Sequence, residues 1–340
     1  MFKYPGSLFA RLVAIAFLLS FALIVLSSLM RLSNQGLGCT GWPECFGYVD
    51  AARYARDIAA SDFGFAQPSA ITPPTAVERA HRVVASLLLL FIIAITVVAW
   101  RRRKEPGMPV VVPFVILGIS LLLSVLGIWY GSPLLRPPVI MANLLGGIAL
   151  LGSFWWLYLA QGPRQINPRH RTLRTWAALG LMAVVTQTAL GGWISSHFAA
   201  LACTTFPDCN GSWWPAMNFS EGFSVQQLLE VNGEGKVIFS SAAAASLHVA
   251  HRMGAGLVIL LVGWLGYKAI RLGGRLRTIG SILLAALLLQ VLLGISVVIF
   301  SVPLVAVVTH SAMAALLWLG IITLIYYLRQ DTVKPAARQA

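Results

Sequence analysis

Glu78-Arg79-Ala80-His81-Arg82-Val83-Val84-Ala85-Ser86-Leu87-Leu88-Leu89-Leu90 opens a stretch that stays free of charge as far as Trp100. Charged and titratable residues crowd its mouth, and the apolar block behind them is long enough for a membrane-crossing helix, which takes roughly 20 residues. The same kind of opening returns at Leu247-His248-Val249-Ala250-His251-Arg252, again ahead of an apolar run. A histidine inside a membrane span is costly and is rarely there without a function. Two histidine–arginine pairs, each at the start of the second helix of a half, predict a duplicated cofactor site.

Composition agrees with a membrane setting. The 340 residues are 58% hydrophobic and 11% charged, whereas a soluble domain carries about 25% charged residues. Eight spans are predicted, at about 9–31, 77–100, 109–130, 138–161, 173–195, 242–268, 277–300 and 303–328. The formal net charge of +14 could point to nucleic acid. Many of its carriers, however, sit at the two ends of the chain or in short connections between spans: Lys3 and Arg11, Arg101 to Lys104, Arg164 to Arg174, Lys268 to Arg277, and Arg329 to Arg338. That is the positive-inside pattern, so no nucleic-acid partner is expected and both termini are placed on the cytoplasmic side. The first span has no small-residue cleavage site behind it and reads as a retained anchor.

Two long loops, about 32–76 and 196–241, then face outward and open alike. Gly38-Cys39-Thr40-Gly41-Trp42-Pro43-Glu44-Cys45-Phe46-Gly47 is matched by Ala202-Cys203-Thr204-Thr205-Phe206-Pro207-Asp208-Cys209-Asn210-Gly211. Cysteine, aromatic, proline, acid, cysteine and glycine recur at one offset, the signature of an internal repeat. With small changes in loop length, His81-Arg82 maps to His251-Arg252, Leu126-Gly127 to Leu293-Gly294, and Asn143 to His310. An even number of spans per half gives both halves one orientation. The expected fold is an all-α integral membrane protein of eight helices in two tandem, same-orientation four-helix bundles, with domains 1–165 and 166–340.

Counting about 1.5 Å per residue from the outer surface, His81, Asn143, His251 and His310 fall at similar depth in the outer half of the membrane. Two neutral imidazoles from opposing helices are a usual way to hold a six-coordinate haem in a bundle. The plainer alternative for His251 and His310 is a hydrogen bond across helices. Arg252, near the outer interface, suits a haem propionate or snorkels to headgroups. Glu78 and His81, three apart, share a helix face, where the carboxylate serves as base, proton relay or orienter, or else sits at a helix N-terminus for the dipole. Asn143 is a poor iron ligand where its counterpart is His310, and Met141 lies on a different face of that helix.

The cysteines lie on the oxidising side, so disulfides Cys39–Cys45 and Cys203–Cys209 are expected within the loops. Trp193, Trp213 and Trp214 are assigned to an interfacial aromatic belt. His170 and His197 are expected to be solvated.

On these residues the chain resembles the haem A synthases of bacteria and mitochondria. The likeness rests on the eight spans, the duplicated halves, the histidine–arginine pairs, and the stretches Gly38-Cys39-Thr40-Gly41-Trp42-Pro43 and Gly191-Gly192-Trp193-Ile194-Ser195-Ser196. Cysteine pairs in both loops look like the version found in many Gram-negative bacteria, which implies the cell inner membrane. The resemblance implies oxidation of the C8 methyl of haem O to a formyl group, by successive hydroxylations and loss of water, giving haem A for cytochrome oxidase. It implies a haem b cofactor on His251 and His310, and a substrate site in the first half with Glu78 as the essential acid and His81 as an iron ligand. Arg82 and Arg252 would bind cofactor. Expected partners are haem O, membrane lipid, haem O synthase, cytochrome oxidase assembly factors and a second copy of the chain. The family pattern His-Leu-Leu-Gly-Gly appears here as Asn143-Leu144-Leu145-Gly146-Gly147, a departure that favours the alternative of a non-catalytic haem carrier in oxidase assembly. A transporter would show buried charged pairs near the midplane, and no span carries such a cluster.

Overall fold

The computed structural model describes residues 8–33, 76–128, 136–161, 170–225, 230–231 and 237–329. Within them the apolar blocks form α1 (Leu8–Ser33), α2 (Ala76–Arg101), α3 (Val111–Ile128), α4 (Arg136–Leu159), α5 (Arg171–Ser196), the one-turn α6 (Phe219–Gly222), α7 (Ser241–Leu272), α8 (Gly274–Ile299) and α9 (Leu304–Arg329). Between α6 and α7 lie two short antiparallel strands, β1 (Glu230–Val231) and β2 (Val237–Ile238).

Seven of these helices are long and apolar enough to cross a membrane, and α3 is a shorter apolar helix. Expected over 109–130, α3 has 18 residues, about 27 Å at the α-helical rise against a hydrocarbon core of about 30 Å. Pro113 stands in its first turn, where no intrahelical hydrogen bond is lost.

Packing follows chain order. The first helix, α1, packs on α2 and α4, and α3 packs on the same two; α5 packs on α7 and α9, and α8 packs on the same two. Contacts of α4 with α5 and of α9 with α1 and α4 join the two groups. One core, with Phe9, Val13, Ile92, Ile95, Ile116 and Phe154, fills the space among α1 to α4. The larger core gathers Val184, Val262, Leu265, Leu283, Leu317 and Ile321 from α5, α7, α8 and α9, and also takes in Ile24 of α1 and Ile148 and Leu151 of α4. Two first-half helices therefore belong to both cores. Polar pairing marks the same seam, where Trp155 Nε1 of α4 donates to Thr323 Oγ1 of α9 at 2.8 Å.

The turn from α7 to α8 takes a single residue. Gly273 and Gly274 both have positive φ, 77° and 53°, a conformation that costs most other residues energy. Beyond it the two backbones nearly touch: a Cβ added at Gly280 would lie 2.6 Å from Gly266 O.

At the opposite end, the loop after α5 folds back onto α7. Ser240 Oγ caps α7 by accepting from Ala243 N at 3.1 Å, and donates to Glu221 Oε2 at 2.6 Å. Asn218 N donates to Ser246 Oγ at 2.8 Å, and Trp193 Nε1 donates to Gly222 O at 2.9 Å. Trp193 is thus tied into this loop, while Trp213 and Trp214 are exposed.

His197 is not solvated as expected; it is 2% exposed. The refolded loop covers it, with the Trp193 ring 4.4 Å away and Phe239 5.3 Å away. Its Nδ1 lies 2.9 Å from Trp193 O, and because a carbonyl only accepts, Nδ1 carries the proton. Burial pushes the imidazole below the ordinary histidine range, partly offset by that backbone bond.

Candidate functional site

His251 lies on α7 and His310 on α9, and each of these helices packs on both α5 and α8. The two imidazoles therefore come from opposite helices of the α5–α7–α8–α9 group. Each is seated on a neighbouring helix by one glutamine and one glycine.

For His251 the seat is on α5. Gln187 Nε2 lies 3.0 Å from His251 Nδ1 and 3.3 Å from Nε2, and donates to the His251 carbonyl at 2.9 Å. One turn on, a Cβ at Gly191 would be 3.2 Å from the ring Cε1, tighter than side chains ordinarily pack. For His310 the seat is on α8. Gln290 Nε2 lies 3.2 Å from His310 Nε2, and a Cβ at Gly294 would be 3.1 Å from the ring Cε1. Gly254, on α7 one turn past His251, leaves the space that the Gln187 amide oxygen fills.

Several polar atoms in this region are buried without a hydrogen-bond partner: Gln187 Oε1, Gln290 Oε1, His310 Nδ1 and His248 Nδ1. Leaving such a group unpaired costs about 1–3 kcal/mol, so the arrangement is suited to a further bonding partner. Among the described residues no group of three or more His, Cys, Asp or Glu could hold a bare metal ion. A pair of imidazoles suits a metal that brings its own equatorial ligands, as haem iron does.

Arg252, one residue past His251, points elsewhere than its neighbour. Its guanidinium donates to the carbonyls of Asp208 at 2.5 Å, Thr205 at 2.8 Å, Pro207 at 3.3 Å and Cys203 at 3.4 Å. These belong to the loop closed by the disulfide Cys203–Cys209, which the sequence predicts. Asn210 braces the same loop, its Nδ2 donating to Ala202 O at 2.7 Å. The companion pair, Cys39–Cys45, lies outside the described residues.

In the first group of helices, Glu78, His81 and Arg82 occupy the first two turns of α2, with Glu78 and His81 half-buried and Arg82 exposed. Asn143 is half-buried on α4, one turn before Gly146, whose face meets Leu123 of α3. As α2 and α4 each pack on both α1 and α3, His81 and Asn143 sit on helices related as α7 and α9 are. Met141 turns away from this group: its Sδ would lie 2.8 Å from a Cβ at Gly192 of α5, in the seam.

The glutamines are the site residues that the sequence reading missed. A signal existed, because Gln187 and Gln290 are polar side chains within apolar spans and each stands four residues ahead of a glycine.

Comparison with known proteins extends this picture along the chain. A protein named "Heme A synthase" from Shewanella oneidensis is 32% identical over 320 residues, covering 93% of this chain and 96% of the relative. Proteins of the same name from Rhizorhabdus wittichii and a Caulobacter strain are 24% and 27% identical, and cover 93% and 92% of this chain. The family model COX15-CtaA, described as cytochrome oxidase assembly protein, matches residues 10–322. With both histidine–arginine pairs inside that match and every long helix inside it but for the start of α1 and the end of α9, the chain belongs to the COX15-CtaA family of cytochrome oxidase assembly proteins.

Proposed function

We propose that this chain is a haem A synthase, a membrane oxidoreductase that converts the C8 methyl of haem O to a formyl group for cytochrome oxidase assembly. The observation that carries the reading is the matched imidazole pair, His251 and His310, each on its glutamine–glycine seat. The molecule is built as two tandem, same-orientation four-helix halves, 1–165 for the substrate haem and 166–340 for haem b, in the inner membrane with both termini cytoplasmic. When bound, haem b supplies the redox chemistry.

The chain's own residues supply position and proton handling. His251 and His310 would hold the haem b iron, each through one ring nitrogen. In the first half, His81 meets the substrate iron, and Glu78, three residues earlier on the same face, moves protons at the reacting carbon. Asn143 would offer that iron no strong ligand. Arg82 would pair with the carboxylates of the substrate haem, whereas Arg252, whose guanidinium lies on the carbonyls of the outer loop, would reach those of haem b only by giving up part of that bonding.

The test is expression beside a haem O source, followed by extraction and chromatography of membrane haems. Haem A above a vector control, lost in Glu78→Ala and in His81→Ala, is the expected result. Purified protein holding haem b or haem O, with no haem A under aerobic conditions, would replace this reading with a non-catalytic haem carrier in oxidase assembly. Asn143 is the residue that favours that second reading, and Asn143→His would then change haem content and create activity only if the scaffold is otherwise intact.

A further inference from the structure

We propose that Gln187 and Gln290 are positioning residues, each amide fixing the ring rotation of its histidine and bonding the ring nitrogen that does not face iron. The inference rests on the haem b reading. A polar side chain inside a span is costly unless it is partnered, and both glutamines spend their amide nitrogen on a histidine of the adjacent helix. Gln187 grips ring and backbone together, through its further bond to the His251 carbonyl. The arrangement is duplicated: a glutamine on α5 and another on α8, a glycine four residues on, and an imidazole lying over both.

Iron ligation changes what the ring requires. An imidazole that gives one nitrogen to a metal keeps a proton on the other, and ligand histidines pair that N–H with a carbonyl or carboxylate acceptor. Each glutamine now sets its donor against the ring and holds an unused acceptor, Gln187 Oε1 and Gln290 Oε1 both being buried without a partner; turning the terminal amide exchanges that donor for the acceptor a ring N–H requires. His310 displays the division directly: Nε2 lies against Gln290 while Nδ1 is buried and unpaired. The first half lacks the device. At the offset of the cysteine pairs Gln187 maps to Leu23, and at that of Leu126-Gly127 Gln290 maps to Leu123. Leucine offers an imidazole nothing polar, so the orienting amides belong to the half assigned the resident cofactor.

The experiment uses the purified full-length protein loaded with haem b, in detergent, with Gln187→Leu, Gln290→Leu, Gln187→Glu, Gln290→Glu, His251→Ala and His310→Ala. The readouts are haem retained on washing, the low-temperature electron paramagnetic resonance of the ferric form, and the midpoint potential. Both histidine variants should lose the bis-imidazole signal; if neither does, the haem b reading itself fails. With that signal established, the leucine variants should retain haem about 10- to 100-fold more weakly and shift the midpoint potential upward, because the ligand loses basicity. The glutamate variants should restore retention and shift the potential downward, because a carboxylate draws harder on the ring N–H. Opposite shifts from leucine and glutamate are not what loss of packing produces. If the potential and resonance match the parent in all four glutamine variants, the positioning role is overturned while the haem reading stands.

Discussion

Arg252 and His251 are neighbours in sequence with divided tasks, the histidine facing the interior of its helix group and the arginine gripping the carbonyls of Cys203, Thr205, Pro207 and Asp208. Hydrogen bonds from a charged donor are worth about 1.5–3 kcal/mol each at most, so Arg252→Leu should loosen residues 203–209 locally. Hydrogen exchange there should speed up in the variant while the helix cores stay protected; unchanged exchange would mean that the disulfide and Asn210 hold the loop without the arginine. His197 carries a pH prediction. Its imidazole is held below the ordinary value of 6.5 by burial, so the folded loop accepts the neutral ring. The sign follows from linkage: the contribution is fully present above 6.5 and is lost as pH falls through the lowered value. Loop exchange, corrected for its intrinsic rate, should therefore be faster at about pH 5 than at about pH 7.5, and His197→Phe should remove that difference.

Among the elements, the contact of α7 with α8 is the least tolerant of added volume. Gly280→Ala places a Cβ against the Gly266 carbonyl and the α7 backbone, and overpacking of that kind costs about 1–3 kcal/mol. Gly256→Ala, on α7 with nothing within 4 Å of the added atom, is the control. A thermal melt in detergent should fall for the first variant and hold or rise for the second. The long helices were readable from sequence because a bilayer leaves a spanning segment little alternative to an apolar block of fixed length. The shortness of α3 was harder to see, since Met108, Pro109 and Val110 before it and Trp129 and Tyr130 after it carry no charge. The fold of the loop after α5 was not readable, because its bonds join residues far apart, such as Trp193 to Gly222 and Asn218 to Ser246, with no periodicity to announce them. His251, His310 and the Cys203–Cys209 disulfide stood out through the repeat. Gln187 and Gln290 did not, because an uncharged amide has neither a titration nor a metal-ligand spacing to draw the eye.

For the whole molecule, the deciding feature is the shared ownership of α1 and α4. Ile24, Ile148 and Leu151 are packed with residues of α5, α7, α8 and α9, and Trp155 bonds Thr323 across the same seam. Residues 1–165 and 166–340, expressed as separate chains in one membrane, should therefore co-purify in mild detergent, and Thr323→Val should weaken their recovery as a pair. Independent elution of the two chains would show that the seam is not cohesive. The seam also bears on biosynthesis. The ribosome delivers α1 to α4 first, so their seam-facing side chains wait in the bilayer before α9 exists. In water such a face would drive aggregation, but lipid tails solvate Ile24, Ile148 and Leu151 about as well as protein does. The early half can be inserted and stay monomeric until its partner arrives, with close packing and the Trp155–Thr323 bond deciding when the two meet.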